Sequence, residues 1–380
     1  MQCKAVLLAT LETKQEEIDY LVQTLNRLCV ETVIFDISLG ADGAVWKAQE
    51  KIRAMERVVT RTIPLLQQAT AKGNAVVVGL GGGTGGDIIM RVMHHLPMTS
   101  RKMLITPMPF DPRSEVADSS IILLPTLVDI CGLNPILRQV LDNAAAMIAG
   151  LCDGEQAPEY EKIQSSIAIT TLGTLSGATQ SIACLLRARG YEPTVFHANG
   201  FGGAALARCT ADNGFKAIVD VTTHELTRML FIGSHTAMPT RFTAASDKGL
   251  PQVILPGGVN FLGFEQLETV PSQYLERPHY QHSPLFTHVK LTGDEMSYLA
   301  TVFAANLNRA NGKIELIVPM GGFSSEDAPD GAIEDPKLRR IFWQKISETL
   351  EPQVGLTRLD SHICDPETAQ VVVDALCEML

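Results

Sequence analysis

One sequence pattern recurs along the chain and constrains the fold more than any other feature: a short β-branched run, then Gly, Thr or Ser, then an amphipathic helix. Residues 5–9 fit a first strand, and Thr13 with Glu16 fits a capping box that opens the helix after it. Strands that alternate with helices form a parallel sheet covered by helices, with a ligand crevice at the carboxyl ends of the strands. The sequence therefore predicts an α/β fold.

Length and composition indicate two such sheets. At 380 residues the chain is long for one core, since domains average about 150 residues. Apolar residues make up 46% and aromatic residues only 6%, which is typical of buried parallel strands and helices. Residues 152–164 are polar and predict a linker. We predict two Rossmann-like subdomains with mainly parallel sheets flanked by helices, at residues 1–155 and 156–380.

Charge and hydropathy argue against several partners and locations. The net charge of -11 comes without a basic run, which disfavours a DNA or RNA groove. The apolar run at residues 1–8 meets Thr10 too soon for a signal peptide, and no later stretch of about 20 residues stays apolar. The cysteines form no C-x-x-C pair, which fits a reducing compartment. We predict a cytoplasmic protein without a membrane span or a zinc site.

A glycine-rich loop at residues 79–86 lies between a predicted strand at 75–78 and a helix predicted to begin near Asp87. Glycine lets the backbone approach a ligand, and the first N–H groups of a helix favour phosphate or carboxylate. The loop lacks the Lys of a Walker A motif. A tight turn that needs only one or two glycines is the alternative. The candidate nucleotide-binding residues of this loop are Gly81, Gly82, Gly83, Thr84 and Gly85.

Three residues nearer the N-terminus are further candidates for nucleotide binding. Thr10 offers a hydroxyl and Lys14 a cation at the start of the first helix, although Lys14 also fits a solvated helix charge. Asp36 ends the second predicted strand, where a ribose-binding acid often lies in Rossmann-like folds.

A second glycine loop, at residues 196–203, follows a strand and precedes a helix in the same way. It predicts a second anion site, for substrate, with Asn199, Gly200, Gly202 and Gly203 as candidate ligands. His197 is a candidate catalytic acid or base because histidine titrates near neutrality. A histidine held by backbone groups is the alternative for this residue.

Two more strand-ending loops, at residues 220–225 and 321–327, carry acids and glycines. Glu225 is a second catalytic candidate, and Asp220, Glu225 and Asp327 are oxygen ligands suited to Mg²⁺ or to sugar hydroxyls. Helix capping is the alternative for each acid. We expect these loops and both glycine loops to line one interdomain cleft. The remaining substrate-binding candidates are Thr222, Thr223, Arg241, Gly321, Gly322 and Ser324.

Several motifs in order along the chain carry a resemblance to a known family. They are TLETKQEE at 10–17, the loop at 79–86, VDICGLN at 128–134, the loop at 196–203, DVTTHEL at 220–226, VNF at 259–261, HSP at 282–284 and PMGGFS at 319–324. The chain resembles the ATP-binding domain at the N-terminus of the tomato mosaic virus resistance protein and its uncharacterised bacterial and fungal relatives. The resemblance implies two Rossmann-like subdomains, ATP binding with Mg²⁺, and self-association as a homodimer.

Three functions follow from these features and stay open. The first is an ATP- or phosphate-dependent enzyme of small-molecule metabolism, with a phosphorylated or carboxylated ligand near His197 and Arg241. The second is a non-catalytic module in which bound nucleotide alters a partner surface. The third is a nucleotide-independent oxo-acid lyase or hydrolase that uses His197.

Overall fold

The computed structural model forms two compact units, Met1–Pro158 and Glu159–Leu380. It describes residues 3–40, 46–109, 111–112, 116–154, 166–212, 214–232, 238, 240–309 and 311–380. Each unit contains a parallel sheet flanked by helices, which confirms the predicted α/β class. Of the predicted linker, residues 152 and 153 belong to a helix, and residues 155–164 lie outside the described part of the chain.

The first unit is a five-stranded parallel sheet in the order β2-β1-β3-β4-β5. Its strands are β1 (Lys4–Ala9), β2 (Glu31–Asp36), β3 (Ala75–Leu80), β4 (Arg101–Thr106) and β5 (Ile121–Pro125). Its helices are α1 (Leu11–Arg27), α2 (Ala48–Thr70), α3 (Gly83–His94) and α4 (Pro135–Asp153).

Strand β3 is buried along its whole length, because helices cover both faces of the sheet. Helices α1 and α4 pack on one face, and α2 and α3 pack on the other. The chain leaves β1 toward β2 on one side and leaves β3 toward β4 on the other. The loops after β1 and β3 therefore border the switch point at which open α/β sheets bind ligands.

The second unit has a six-stranded parallel sheet in the order β14-β13-β9-β8-β6-β7, and its switch point lies between β6 and β8. The strands of this sheet are β6 (Ser166–Thr171), β7 (Glu192–His197), β8 (Ala217–Thr222), β9 (Gln252–Gly257), β13 (Ile314–Pro319) and β14 (Gly355–Leu359). The longer helices are α5 (Ser176–Ala188), α6 (Gly202–Ala211), α7 (Gly293–Asn308), α8 (Pro336–Thr349) and α9 (Pro366–Met379). Short helical segments are Gly173–Leu175, Glu225–Thr227, Arg228–Ile232, Ala244–Asp247, Leu267–Thr269, Ser272–Leu275 and Ser325–Asp327.

A separate antiparallel sheet in the order β10-β12-β11 was not predicted. It consists of β10 (Phe261–Phe264), β11 (His279–Ser283) and β12 (Phe286–Lys290). Strand β11 is polar and largely exposed, so it lacks the apolar pattern that signals a strand.

Capping boxes mark the start of a helix in some cases and not in others. Thr292 and Glu295 form a capping box at the start of α7. The capping box predicted at Thr13 is wrong, because α1 begins earlier with Thr10 as its N-cap residue. Among the described residues, none of the helices combines the length and apolar character needed to cross a bilayer.

Packing of α3 on β3 gives the first testable prediction. A Cβ atom at Gly79 would lie 2.3 Å from Cγ2 of the buried Ile89, a branched side chain that cannot swing away. We expect Gly79→Ala to lower the free energy of unfolding by about 1–3 kcal/mol, the usual effect of overpacking. Gly150→Ala in α4, where nothing lies within 4 Å of the new atom, is the control for urea unfolding and should not destabilise. Equal midpoints for both variants would contradict this packing.

Candidate functional site

Helix α3 begins inside the first glycine loop. Its N-cap is Gly82, without a side-chain cap, and its first helical residue is Gly83. The predicted start near Asp87 is therefore wrong, and Gly83, Thr84 and Gly85 form the first turn of a 12-residue helix. The first N–H groups of a helix have no partner within it, so this turn needs outside acceptors.

Among the described residues, three amides of this turn have no such acceptor. Gly81 donates its N–H to the carbonyl of Ile105 at 3.1 Å, and the N–H of Gly86 reaches the carbonyl of Gly82 at 2.6 Å. Within the described part of the chain, no atom accepts from the N–H groups of residues 83–85. The described residues therefore leave three donors of the α3 N-terminus without an acceptor.

The glycines of this loop fall into two groups. Gly79 and Gly81 are needed by the fold, since a Cβ at Gly81 would lie 2.9 Å from the backbone of Gly85. A Cβ at Gly82 would meet nothing within 4 Å, and those at Gly83 and Gly85 would meet only ordinary contacts at 3.8 and 3.7 Å. Packing against the described residues does not require glycine at Gly82, Gly83 or Gly85.

The N-terminus of α1, in contrast, is already capped by the protein. The carboxylate of Asp36 accepts from the N–H of Leu11 at 3.2 Å, and the hydroxyl of Ser38 accepts from the N–H of Glu12 at 3.1 Å. Burial alone would raise the pKa of Asp36, but hydrogen bonds from Ser38 and Leu11 outweigh it and lower the pKa. Asp36 is an anion that holds α1 in place, and its role toward a ribose stays a prediction.

Thr10 and Lys14 also make contacts within the first unit. The hydroxyls of Thr10 and Thr13 lie 3.1 Å apart, and the Lys14 ammonium donates to the carbonyl of Ile130. Thr10 also borders α3, since its Cγ2 lies 3.7 Å from where a Cβ of Gly85 would stand. Of the two candidates, Thr10 is the one that the structure places against the free amides.

The second glycine loop is occupied by a carboxylate of the same unit. Oε1 of Glu225 accepts from the N–H of Gly200 at 2.7 Å and from the N–H of Gly203 at 3.1 Å. A Cβ at Gly203 would lie 1.8 Å from Glu225 Oε2, and one at Gly202 would lie 2.1 Å from the carbonyl oxygen of His197. The side chain of Glu225 thus occupies amides that were predicted to bind a substrate anion, and that prediction stays untested.

Glu225 belongs to a buried triad with Arg241 and Asp220. Nε of Arg241 donates to Glu225 at 2.6 Å, and its two terminal nitrogens donate to the Asp220 carboxylate at 2.8 and 2.9 Å. Burial lowers the pKa of the Arg241 guanidinium, but the two carboxylates outweigh burial and raise the pKa, so the group stays charged. These contacts and those with Gly200 and Gly203 engage the charged groups of Glu225 and Arg241 within the second unit. Their catalytic and substrate-binding roles stay predictions that the geometry does not favour.

The other substrate-binding candidates of the second unit are mostly engaged too. The side-chain oxygen of Asn199 accepts from Arg228 at 2.6 Å, and the hydroxyl of Thr223 donates to the carbonyl of Leu255 at 2.9 Å. The hydroxyl of Thr222 is buried and has no partner among the described residues. His197 ends the edge strand β7 and is exposed.

Gly321 and Gly322, like Gly202 and Gly203, have no room for a side chain. Gly321 and Gly322 pack against His362, whose Cδ2 would lie 2.3 Å from a Cβ at Gly322. The hydroxyl of Ser324 accepts from the side-chain amide of Asn260 at 3.1 Å. Asp327 accepts from the N–H of Phe323 at 2.9 Å, besides an ion pair with Arg339.

The sequence analysis missed a histidine cluster in the second unit. Four rings stack in a row, with centroids 4.5 Å apart for His224 and Phe261, 4.1 Å for Phe261 and His288, and 5.0 Å for His288 and His282. His282 and His288 both lie beside Glu326. The available signal was the histidine-rich segment 279–288, of which only residues 282–284 entered the sequence analysis, as part of the family resemblance.

Burial keeps His224 neutral. Burial lowers the pKa of this imidazole from 6.5 to about 3, and its hydrogen bond with the carbonyl of Gly258 opposes the shift only in part. The neutral ring therefore donates from Nδ1 to Gly258 at 2.8 Å.

Acid should destabilise the protein through His224. Between pH 6.5 and about 3 the unfolded chain binds a proton at this residue and the folded chain does not, so the free energy of unfolding falls as the pH is lowered. His224→Asn, which keeps a donor for Gly258, should be less stable at neutral pH but lose this dependence. Urea unfolding between pH 6.5 and about 3 measures how the free energy of unfolding depends on pH, with the exposed His279→Asn as control. Parallel pH curves for wild type and His224→Asn would refute the assignment.

Removing one member of the triad tests whether Glu225 is structural. Glu225→Gln leaves the buried Arg241 short of one counter-charge, and we expect a loss of about 3–5 kcal/mol in unfolding free energy. Glu268→Gln, at an exposed acid, should change stability by less than about 0.5 kcal/mol. A Glu225→Gln protein as stable as wild type would instead favour the catalytic assignment.

Comparison with protein families identifies the chain. A model of the uncharacterised protein family UPF0261, N-terminal domain, matches residues 40–157, and the C-terminal domain model of the same family matches residues 164–380. The chain belongs to the UPF0261 family. The first match ends at residue 157 and the second begins at residue 164, so the division between the two units of this UPF0261 chain falls between them.

Individual relatives agree with this assignment. A UPF0261 protein of Clostridium tetani is 27% identical over 403 residues, and the match covers 100% of both chains. One of Mesorhizobium japonicum is 32% identical, over 78% of this chain and 75% of its own. The tomato ToMV resistance protein Tm-1 is 28% identical over 80% of this chain and 41% of its own. The tomato resistance protein is thus a homologue of this UPF0261 chain, and ATP binding stays a prediction.

Proposed function

We propose that the first unit binds the phosphate groups of ATP or a related phosphorylated small ligand at the N-terminus of α3. One observation carries the proposal: among the described residues, the N–H groups of residues 83–85 have no acceptor, and a Cβ at Gly82 would meet nothing within 4 Å. In the second unit, Glu225 places a carboxylate on two amides of a glycine loop, which illustrates the kind of group that such amides bind.

Electrostatics favour an anion at this end of α3. A helix carries about half a positive charge at its N-terminus, from the aligned peptide dipoles. The first turn of α3 contains no acidic residue, and its basic residues, Arg91 and His94, lie in the last turn. A phosphate would therefore meet attraction from the dipole together with three hydrogen-bond donors.

The position in the sheet supports a nucleotide. The α3 terminus lies at the switch point between β1 and β3, beside Thr10. Asp36 ends β2 on the far side of β1, and strand spacings of about 4.8 Å place it roughly 10 Å from the end of β3. We infer that the phosphates lie on α3 while the sugar extends across the end of β1 toward Asp36. Mg²⁺ would arrive with the nucleotide, held mainly by phosphate oxygens.

Substitution of Gly83 tests the proposal. Gly83→Val places a β-branched side chain over the free amides, so ATP affinity should fall at least tenfold, about 1.4 kcal/mol. The protein should stay folded, because the nearest atom to the new Cβ is Cγ of Pro109 at 3.8 Å. Calorimetric titration with ATP and Mg²⁺, compared with inorganic phosphate, measures the change.

Gly150→Val is the matched control for this titration. It makes the same change at a helical glycine with nothing within 4 Å, remote in sequence from the loop. It should bind ATP as wild type does. Wild-type affinity in Gly83→Val, or no binding of ATP, ADP or a sugar phosphate to the wild-type protein, would overturn the proposal.

A further inference from the structure

Two histidines and a glutamate of the second unit converge on one point. Nδ1 of His282 lies 3.3 Å from Oε1 of Glu326, and Nδ1 of His288 lies 3.8 Å from the same oxygen. One ligand atom from each of the three residues falls within a mutual distance of 4.8 Å. None of these residues takes part in the phosphate site proposed for the first unit.

The small antiparallel sheet builds this cluster. His288 lies on β12 opposite Tyr280 of β11, and the register shifts between Gln281 and Ser283. His282 lies in this irregularity, the kind of position at which a β-bulge redirects a side chain. Its ring stacks on that of His288, which Phe261 holds from the other side at 4.1 Å.

Glu326 reaches the cluster from a separate segment. It lies in the short helical turn Ser325–Asp327, which contacts the turn Gly173–Leu175 at the end of β6. A Cβ at Gly173 would lie 3.3 Å from Nε2 of His282, so Gly173 makes room for that ring. The cluster thus lies by the β6 end, next to the switch point of the second sheet.

Two atoms of the cluster are buried without a partner. Among the described residues, nothing hydrogen-bonds Nδ1 of His288 or Oε2 of Glu326. Their side chains are only 8% and 6% exposed. Each unpaired buried polar group disfavours the folded state by about 1–3 kcal/mol, so two adjacent ones that face a third ligand indicate a missing partner.

We propose that His282, His288 and Glu326 bind a divalent transition-metal ion such as Zn²⁺. Imidazole and carboxylate together suit Zn²⁺ and its first-row neighbours, whereas Mg²⁺ and Ca²⁺ prefer oxygen ligands alone. Bonds of 2.0–2.1 Å in a tetrahedral site place donor atoms about 3.3 Å apart, which the His282–Glu326 pair already matches. The absence of C-x-x-C pairs led us to predict no zinc site, but this site contains no cysteine.

The site has an open side. The His282 side chain is 35% exposed, so solvent reaches the cluster past this ring. Three protein ligands leave at least one coordination position for water or for an oxygen-bearing ligand such as a carboxylate, the arrangement of catalytic metal sites. Structural zinc sites instead use four protein ligands. We therefore assign this centre to ligand binding.

Cobalt titration tests the proposal. Tag-free protein freed of metal by a chelator is titrated with Co²⁺, whose visible absorption reports low coordination, and then with Zn²⁺. We expect one ion per chain, displacement of Co²⁺ by Zn²⁺, and a raised melting temperature with metal, since the ion binds the native state. His282→Ala and Glu326→Gln should each weaken binding by at least about 10- to 100-fold.

Controls separate the site from general metal affinity. His279→Ala removes an exposed histidine from the same strand and should bind metal as wild type does. Should the buried His288→Ala fail to fold, the partly exposed His282→Ala still provides the test. Absence of stoichiometric binding to wild-type protein, or equal affinity in wild type and His282→Ala, would show that the cluster is not a metal site.

Discussion

The electrostatic demand of a helix N-terminus organises both units of this chain. Each sheet delivers a glycine loop to the start of a helix, and each such start presents amides that need an acceptor. In the second unit Glu225 meets that demand, held in place by Arg241 and Asp220. In the first unit, the described residues supply no acceptor to α3. One loop is therefore closed by a carboxylate of its own unit, and in the other the described residues leave three amides without an acceptor.

The two loops also differ in the space that surrounds their glycines. Gly202 and Gly203 are fixed by the fold, because any side chain there would strike His197 or Glu225. A Cβ at Gly82 would meet nothing within 4 Å, and one at Gly83 would meet only Cγ of Pro109, at 3.8 Å. A glycine that packing does not need, beside an amide without an acceptor, indicates close approach by something else. This comparison within one chain distinguishes the two loops, which the sequence shows only as two glycine-rich segments between a strand and a helix.

The sequence predicted the fold class and the place of the loops, because alternation of apolar strands with capped helices is a local signal. It could not predict which loop is filled, since Arg241 and Glu225 meet only through the tertiary fold. It also missed the cluster of His282, His288 and Glu326, because the polar hairpin that carries the histidines has no apolar pattern.

Amide resonances of the two glycine loops test the central claim most directly. In ¹H–¹⁵N spectra recorded during titration with ATP, the amides of Gly83, Thr84 and Gly85 should shift to saturation as they bond to phosphate. Those of Gly200 and Gly203 should not move, because Glu225 already occupies them. Unmoved signals at residues 83–85 in the presence of bound ATP, or equal shifts in both loops, would contradict the account.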